Sequence, residues 1–409
     1  MISQQEKDIL RELAHQQLEA AHSEKNLERI ALWKRHNRCE GERPIVHVEI
    51  DTFEQEMIPP RLRCESEEAR ALETALYKNF LNLTVLDDDW VVPDEFPVTW
   101  RTYFHPFGHK ITKTLASDHA LGHQFNYVIH DLEEDWDQVA PSAFGVDREG
   151  TRRWFELAQD TFGDILPVRM RGSALYVCPT QDVVHLMGME TMCFAMYDYP
   201  ELFHTLMDRL TNDYLAYFDF LTKEKLLLPT TGFENLGQGT KCFTDELPHD
   251  AVRGPQDLWG FMDSQETVSI SPDMFGEFIF PYYKKVADTY GLLSYGCCEP
   301  VDPVWKYIGT LSNLRKVSCS PWCNEEVMAE HLRGSQTIFH RKPSPNYLGV
   351  GENLDEEAFR AHIRHTLTAA AGCSLEITQR DVYTIHHDEE KARRYVAIIR
   401  EEIENHWKP

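Results

Sequence analysis

The alternation of apolar and polar positions along the chain predicts a mixed α/β protein. Apolar residues at helical spacing predict a helix over 3–36, and a more polar helix is predicted near 66–82. Between them the alternating run IVHVEI (45–50) predicts a first strand. Residues 83–150 are rich in Asp, Trp, Pro and His with little periodicity. We expect irregular strands and loops there, serving as a lid or as a contact between the subunits of a homodimer.

Beyond residue 152 the predicted strands and helices alternate regularly. Helices are predicted over 152–160, 181–224, 272–290, 301–310, 324–333, 355–371 and 388–406. The predicted strands are ILPVRM (165–170), LLLPTTG (226–232), DLWGFMD (257–263), GLLSYGCC (291–298), LRKVSCS (314–320), QTIFH (336–340) and SLEIT (374–378). This alternation implies right-handed βαβ units on a parallel sheet. Seven or eight such units over about 250 residues favour a (β/α)8 TIM barrel at 151–409, preceded by an N-terminal extension at 1–150.

Charge and composition exclude several classes of protein. The chain has 409 residues, with 41 Lys and Arg against 67 Asp and Glu, so its net charge is −26. Such a surface repels phosphate backbones and anionic lipid, which argues against nucleic-acid and membrane-surface binding. No stretch approaches the roughly 18 apolar residues of a membrane helix, and the N-terminus lacks the apolar core of a signal peptide. We therefore expect a cytoplasmic protein.

Several well-known catalytic motifs are missing from the sequence. No G-x-G-x-x-G follows the first strand and there is no P-loop, so a nucleotide-binding open sheet has little support. The chain also lacks G-x-S-x-G, H-E-x-x-H and the kinase signatures. Serine hydrolase, zincin and kinase functions are therefore disfavoured.

In a parallel barrel the functional groups gather at one face, where the strands end. The polar, aromatic and thiol residues just after the predicted strands are therefore the candidates for a site. They are Phe233, Glu234, Asn235, Asp263, Ser264, Gln265, Glu266, Cys297, Cys298, Glu299, Trp322, Cys323, His340, Arg341, Lys342, Gln379, Arg380 and Asp381.

The segment Tyr295–Pro300 is the strongest of these candidates. Cys297, Cys298 and a carboxylate follow one strand end, and thiolates and carboxylates are ligands that zinc favours. Glu266 and His340 are the natural further ligands, because they come from the strands before and after. Such a set with an open position would form a catalytic zinc site. The alternative is plainer: two buried thiols, two helix-capping glutamates and a surface imidazole.

The other cysteines are expected to be structural. All ten should be thiols in a reducing compartment rather than a disulfide framework. Cys319 and Cys323 form C-x3-C, but a Pro-Trp turn separates them, so a role in the core is favoured. Cys373 lies just before its strand and should sit at the face of the barrel that contributes stability.

Three segments resemble the uroporphyrinogen decarboxylase-like superfamily. They are residues 179–214, residues 261–286 with S-P-x-x-F before Pro281-Tyr282, and YGCCEPVD (295–302), and the likeness runs over roughly 160–400. The resemblance implies the (β/α)8 barrel that the alternation of elements also predicts. The arginine-bearing N-terminal segment of the porphyrin decarboxylases is not found. The chain is more similar to the cobamide-dependent methyltransferase branch, which places zinc at the barrel mouth.

The match to that branch is incomplete. Its H-x-C pair falls on Tyr295-Gly296-Cys297, so the histidine is absent while the thiol is kept. Its later cysteine matches Cys373 by spacing, although the strand position of Cys373 argues against a ligand role. This departure leaves open which of Cys297, Cys298 and Cys373 binds metal.

The resemblance implies a zinc-dependent methyltransferase that moves a methyl group between a small methylated substrate, for example a methoxylated one, and a corrinoid. The corrinoid would be carried by a partner protein. Glu266, Cys297 and Cys298 would act at the reacting centre, and Glu234, Asn235, Asp263, Trp322 and Lys342 would line the pocket. Three alternatives stay open: a methylcorrinoid:thiol methyltransferase, a metal-free decarboxylase of a carboxylated substrate, and a non-catalytic barrel that binds a ligand.

Overall fold

The helices and strands follow one another in the order that the sequence predicts over most of the chain. The structure is a computed structural model that describes residues 2–116 and 122–408, so part of the predicted lid, 117–121, lies outside the described residues. The helices are α1 (Gln4–Ala21), α2 (Glu24–Asn37), α3 (Glu54–Met57), α4 (Glu67–Leu81), α5 (Arg148–Phe162), α6 (Pro179–Asp198), α7 (Pro200–Lys223), α8 (Pro272–Met274), α9 (Phe280–Ala287), α10 (Trp305–Ile308), α11 (Glu325–Leu332), α12 (Asn346–Gly349), α13 (Glu356–Ala369) and α14 (Glu389–His406).

Short strands alternate with these helices. They are β1 (Ile45–Val48), β2 (Phe96–Val98), β3 (Thr102–His105), β4 (Lys113–Leu115), β5 (His123–Phe125), β6 (Ala143–Val146), β7 (Val168–Met170), β8 (Leu175–Val177), β9 (Asn235–Gly237), β10 (Thr240–Lys241), β11 (Trp259–Met262), β12 (Leu292–Tyr295), β13 (Leu314–Cys319), β14 (Ile338–Arg341) and β15 (Leu375–Gln379).

Seven of the strands form one parallel sheet in the order β1-β15-β14-β13-β12-β11-β8. From β8 to β15 the neighbours follow chain order, and the first strand then pairs with the last, with Ile45 opposite Glu376. This is a mixed α/β fold with a parallel central sheet, compatible with a TIM-barrel-like arrangement. Since all the strands run the same way, their carboxyl ends meet at one edge of the sheet.

Most of the predicted strands lie in this sheet, and two do not. The run ILPVRM (165–170) contains β7, which pairs with β2 instead. The run LLLPTTG (226–232) contains no strand, because Pro229 and Gly232 interrupt it. The sheet instead uses β8, which was not predicted as a strand. It spans only three residues, and its middle residue, Tyr176, is exposed, so it carries too little hydrophobic pattern to be recognised.

The predicted N-terminal helix is two helices. Its interruption follows from capping: the side chain of Ser23 accepts a hydrogen bond from the amide of Asn26 and starts α2 just after α1 ends at Ala21. Both helices are amphipathic, and α1 packs against α4 and α5 in a hydrophobic cluster of its own that includes Leu10, Leu72 and Phe162.

The main hydrophobic core surrounds the sheet, and a charged pair lies inside it. Every residue of β13 is buried, including Lys316, whose ammonium donates to the carboxylate of Glu376 on β15 at 2.9 Å. Both side chains are fully buried. In a buried ion pair each charge is satisfied by its partner. Lys316 and Glu376 therefore belong to the packed interior and do not form an open binding site. None of the helices in the described ranges has the length and hydropathy of a membrane span.

Candidate active site at the carboxyl ends of the strands

Three strands deliver the candidate side chains of the two clusters to one edge of the sheet. Cys178 follows β8, Asp263 follows β11, Glu266 lies in the 3-10 turn Gln265–Thr267, and Cys297 and Cys298 follow β12. These side chains form two clusters, one of a thiol and two carboxylates and one of paired thiols.

The first cluster joins Cys178, Asp263 and Glu266. The thiol of Cys178 donates to Oδ1 of Asp263 at 3.0 Å and lies 3.7 Å from Oε2 of Glu266. One ligand atom from each residue lies within 4.8 Å of the others, and all three residues are buried. Among residues 2–116 and 122–408, these three are the His, Cys, Asp or Glu side chains that lie close enough together to hold one metal ion.

Among the described residues, no positively charged side chain pairs with this cluster. Burial, reinforced by Asp263 and Glu266, raises the pKa of the Cys178 thiol well above its ordinary value. Burial also raises the pKa of Asp263, and the nearby Glu299 and Cys297 raise it further. No Lys or Arg among the described residues hydrogen-bonds to the three side chains. A cation placed between them would offset this repulsion, and zinc accepts thiolate and carboxylate ligands together.

Two hydroxyl groups orient the cluster. Thr180 Oγ1 donates to Oε2 of Glu266 at 2.9 Å and lies 2.7 Å from the hydroxyl of Tyr283. The Tyr283 hydroxyl in turn donates to the carbonyl oxygen of Asp263 at 2.9 Å. Partners of this kind fix the direction of ligating carboxylates in metal sites.

The second cluster is the thiol pair. The sulfur atoms of Cys297 and Cys298 lie 3.4 Å apart. A hydrogen bond from Cys298 lowers the pKa of Cys297 to about 6, against the effect of burial and with the help of the Lys342 charge. The same bond raises the pKa of Cys298. Cys297 is therefore the thiolate of the pair near neutral pH.

Cationic side chains surround this thiolate. The ammonium of Lys342 donates to the carbonyl oxygen of Cys297 at 3.0 Å, and Nη1 of Arg380 lies 3.9 Å from its sulfur. Both cations also donate to Oε1 of Gln238, which lies at the turn of the β9–β10 hairpin. The positive charge at this edge is thus concentrated beside Cys297.

Glu299 connects the two clusters. Its buried carboxylate accepts hydrogen bonds from the amide of Ser264 and from the amide of Cys297, each at 2.9 Å. Burial raises the pKa of Glu299. The carboxylate therefore ties the end of β11 to the end of β12, rather than simply capping a helix.

His340 lies apart from both clusters. It is on β14, where the register places it beside Ser318 and Glu376, one layer below the strand ends. Its Nε2 lies 2.9 Å from Oγ1 of Thr378 and 3.7 Å from Glu376. Burial lowers its pKa to about 3. In the described part of the chain, no contact joins His340 to the thiols or to Glu266. The predicted zinc ligands Glu266, Cys297, Cys298 and His340 therefore do not form one group in the structure.

A cavity of about 640 Å³ opens at the same edge of the sheet. Glu266, Cys298 and Glu299 line it together with Trp322 and with Phe125, which belongs to the segment 83–150, expected to be a lid or a subunit contact. Of the other predicted pocket residues, Asp263 lies in the first cluster and Lys342 lies beside Cys297. Glu234 and Asn235 instead line a second cavity of about 280 Å³, near β1.

Cys178 is the site residue that sequence reasoning missed. It directly follows β8, so the rule that functional groups stand at strand ends would have selected it had that strand been recognised. Among the cysteines expected to be structural, Cys319, Cys323 and Cys373 are all buried in the main hydrophobic core. The thiol of Cys373 donates to the carbonyl oxygen of Ala329.

Comparison with known proteins finds similar solved structures. No protein-family model and no curated protein sequence matches the chain. A methyltransferase from Methanosarcina mazei superimposes with a TM-score of 0.51 at 11% sequence identity, over 91% of this chain and 98% of that one. At this identity the likeness shows a shared fold and leaves the activity to be argued from the site.

Proposed function

We propose that this chain is a zinc-dependent methyltransferase that moves a methyl group between a small methylated substrate, such as a methoxylated aromatic compound, and a corrinoid carried by a partner protein. The observation that carries the proposal is the buried group of Cys178, Asp263 and Glu266, in which a thiol and two carboxyl groups converge and Glu266 also lines a cavity. The fold shared with a methyltransferase is consistent with this activity.

The residues present fit a zinc ion. Cys178, Asp263 and Glu266 would hold it, because their thiol and carboxyl groups already converge with no Lys or Arg of the described residues paired to them. Zinc bound there would supply a Lewis acid to an oxygen or sulfur atom of the substrate. This set revises the predicted ligands, since it keeps Glu266 and replaces Cys297, Cys298 and His340 with Cys178 and Asp263.

The chain's own residues would position the substrate. Trp322 and Phe125 offer aromatic surfaces to an organic molecule in the cavity, while Glu266 and Cys298 form its polar wall. Thr180 holds Glu266 in place, and Glu299 keeps the ends of β11 and β12 together. The thiolate of Cys297 lies next to Cys298, and Cys298 lines the cavity. A thiol is therefore the chemical alternative to the corrinoid as the methyl acceptor.

The rim of the cavity suits a protein partner. Trp322, Val268 and Met189 line the cavity and are 76%, 58% and 38% exposed. Exposed apolar side chains around a site are typical of protein contacts. We infer that the corrinoid protein docks on this rim and brings its cofactor to the cavity.

We also infer that the sheet closes into a TIM barrel between β1 and β8. The amide of Asp89 donates to the carbonyl oxygen of Val46 on the free side of β1 at 2.8 Å. Further along the same segment, β2 pairs in parallel with β7, which immediately precedes β8. Residues 89–98 would therefore take the place of the eighth strand.

A decarboxylase acting on a carboxylated substrate is the second candidate. The observation in its favour is the pair of cations, Lys342 and Arg380, beside Cys297. Both already donate to the amide oxygen of Gln238, a position that a substrate carboxylate could occupy. This function predicts CO₂ release with no requirement for corrinoid or metal.

Metal analysis tests the leading proposal. Purified wild-type protein should contain about one zinc per chain by mass spectrometry, and Cys178→Ser, Asp263→Asn and Glu266→Gln should each lose it. Cys373→Ser is the matched control, because this buried thiol lies outside the cluster. The proposal would be wrong if the wild-type protein never held about one zinc per chain, or if the three variants kept the zinc.

Activity separates the two candidate functions. With 2-methoxyphenol as donor and cob(I)alamin as acceptor, the methyltransferase should produce methylcobalamin, which is followed by its visible absorbance. The decarboxylase should instead release CO₂ from carboxylated compounds when no corrinoid is present.

A further inference from the structure

The second cavity, near β1, lies apart from the candidate active site. Its volume is about 280 Å³, and Trp90, Phe233 and Val91 form much of its apolar wall. Neither the Cys178 cluster nor the Cys297–Cys298 pair lines it. Two buried nitrogen groups in its wall, one on Lys241 and one on His47, lack the partners that buried polar groups normally have.

Lys241 is the first of these groups. It is only 4% exposed, and its ammonium lies 3.4 Å from the centre of the Trp90 ring. In the part of the chain that the structure describes, no carboxylate forms an ion pair with it. Burial lowers the pKa of Lys241 to about 8. An ammonium buried without a counter-ion is costly, and an anion beside it would offset that cost.

The other cations around the cavity are already neutralised. Lys78 pairs with Glu54 and Asp51, and the guanidinium of Arg171 pairs with Glu95. Among the acids, Glu49 is held by Arg380, and Asp51 by Lys78. The remaining acid, Glu234, lies 3.9 Å from the guanidinium of Arg171. Among the described cations that line the cavity, Lys241 is thus the one without an ion-pair partner.

His47 is the second group. It is 1% exposed and stacks on Trp90, the same indole that Lys241 contacts. Its Nδ1 lies 2.7 Å from Oδ2 of Asp88, which also accepts from the amide of Val48 and from the side chain of Asn82. Nε2 of His47 has no hydrogen-bond partner among the described residues.

We propose that this cavity binds a small organic carboxylate, with Lys241 as its counter-ion and His47 as its second polar contact. One carboxylate oxygen would accept from the ammonium of Lys241. The other would accept from Nε2–H of His47, whose Nδ1 faces the Asp88 carboxylate. The apolar body of the ligand would lie against Phe233 and Val91. This site needs no metal and is independent of the proposed methyl transfer.

Calorimetric titration with benzoate tests the proposal. Benzoate should bind the wild-type protein, and benzamide, which has the same shape without the charge, should bind at least tenfold more weakly. Lys241→Met should weaken benzoate binding at least tenfold, while Lys241→Arg, which keeps the charge, should restore most of it. Lys25→Met is the matched control, since Lys25 is half exposed and pairs with Asp87.

Histidine-detected NMR gives a readout that does not depend on variants. Benzoate should shift the ring signals of His47 saturably and leave those of the exposed His130 unchanged. A wild-type protein that binds no benzoate, or that binds benzamide equally well, would overturn the proposal. So would Lys241→Met protein with unchanged affinity. Cys178→Ser should bind benzoate normally, so this test and the metal analysis can fail separately.

Discussion

The thiol of Cys178 donates to the carboxylate of Asp263 at 3.0 Å, although 85 residues separate them in the chain. The two residues stand at the ends of β8 and β11, which are hydrogen-bonded neighbours in the sheet. Their proximity is therefore a product of parallel strand pairing. With Glu266 they form a group of acidic side chains that no Lys or Arg of the described residues contacts, which is the basis of the predictions on metal.

Zinc should stabilise the wild-type protein against heat. A ligand at one hundred times its dissociation constant adds about 2.7 kcal/mol to the free energy of unfolding. We expect zinc to raise the melting temperature of the chelator-treated wild type and not that of Cys178→Ser, measured by differential scanning fluorimetry. Cys373→Ser should respond as the wild type does. An equal response in Cys178→Ser would place the ion elsewhere.

Cys297 should titrate as an acidic thiol. Its pKa is lowered to about 6, chiefly by the hydrogen bond from Cys298 and then by the charge of Lys342. Alkylation of Cys297 by iodoacetamide, followed by mass spectrometry, should therefore rise between about pH 5 and 7 and then level off. Lys342→Met and Cys298→Ala should each move the rise to higher pH. A wild-type profile that rises only near pH 9 would contradict the assignment of the thiolate.

Gly296→Ala should disturb that thiolate. Gly296 has a φ of +98°, and an added Cβ would lie 3.1 Å from Cβ of Ser318. The change should cost about 1–2 kcal/mol and displace the adjacent Cys297. Gly334→Ala is the matched control, because its φ of +68° imposes a similar strain with no atom within 4 Å of the new Cβ. Only Gly296→Ala should shift the pH profile of alkylation at Cys297.

Removing Lys316 should destabilise the fold. Burial alone would raise the pKa of Glu376, but Lys316 and His340 outweigh it and lower the pKa well below its ordinary value. Lys316→Met removes the ammonium that pairs with this buried carboxylate and leaves the imidazoles of His36 and His340 beside it, at a cost of about 3–5 kcal/mol in denaturant unfolding. Lys284→Met, at an exposed pair with Asp288, should change stability by less than about 0.5 kcal/mol. Similar losses in both variants would contradict this view of the interior.

The same pair predicts a sign for the pH dependence. Because the pKa of Glu376 is lowered on folding, its contribution to stability is present above the ordinary pKa of a glutamate and is lost as the pH falls below about 4.5. Denaturant unfolding of the double variant Lys316→Met/Glu376→Gln should show a shallower loss of stability in acid than the wild type. An identical acid profile would show that other groups control it.

Local sequence pattern was sufficient for most of the sheet. The buried runs at 257–263, 291–298 and 314–320 are strongly apolar and bounded by polar residues, and each contains a strand of the structure. Since the end of a strand can be read from such a run, the sequence located Asp263, Glu266 and the two thiols at one edge. The short strand β8 has no comparable pattern, and Cys178 was missed with it.

The sequence by itself determined the order of the α and β elements and the residues that the strand ends present, because hydrophobic periodicity and capping act over a few neighbouring positions. Only the tertiary structure decided which of those residues meet. Strand pairing brought Cys178 to Asp263 across 85 residues. The register of β14 and β15 set His340 beside Glu376, below the strand ends. The β9–β10 hairpin carried Lys241 to Trp90. These contacts depend on pairing, register and burial between distant segments, for which a single sequence carries no local signal.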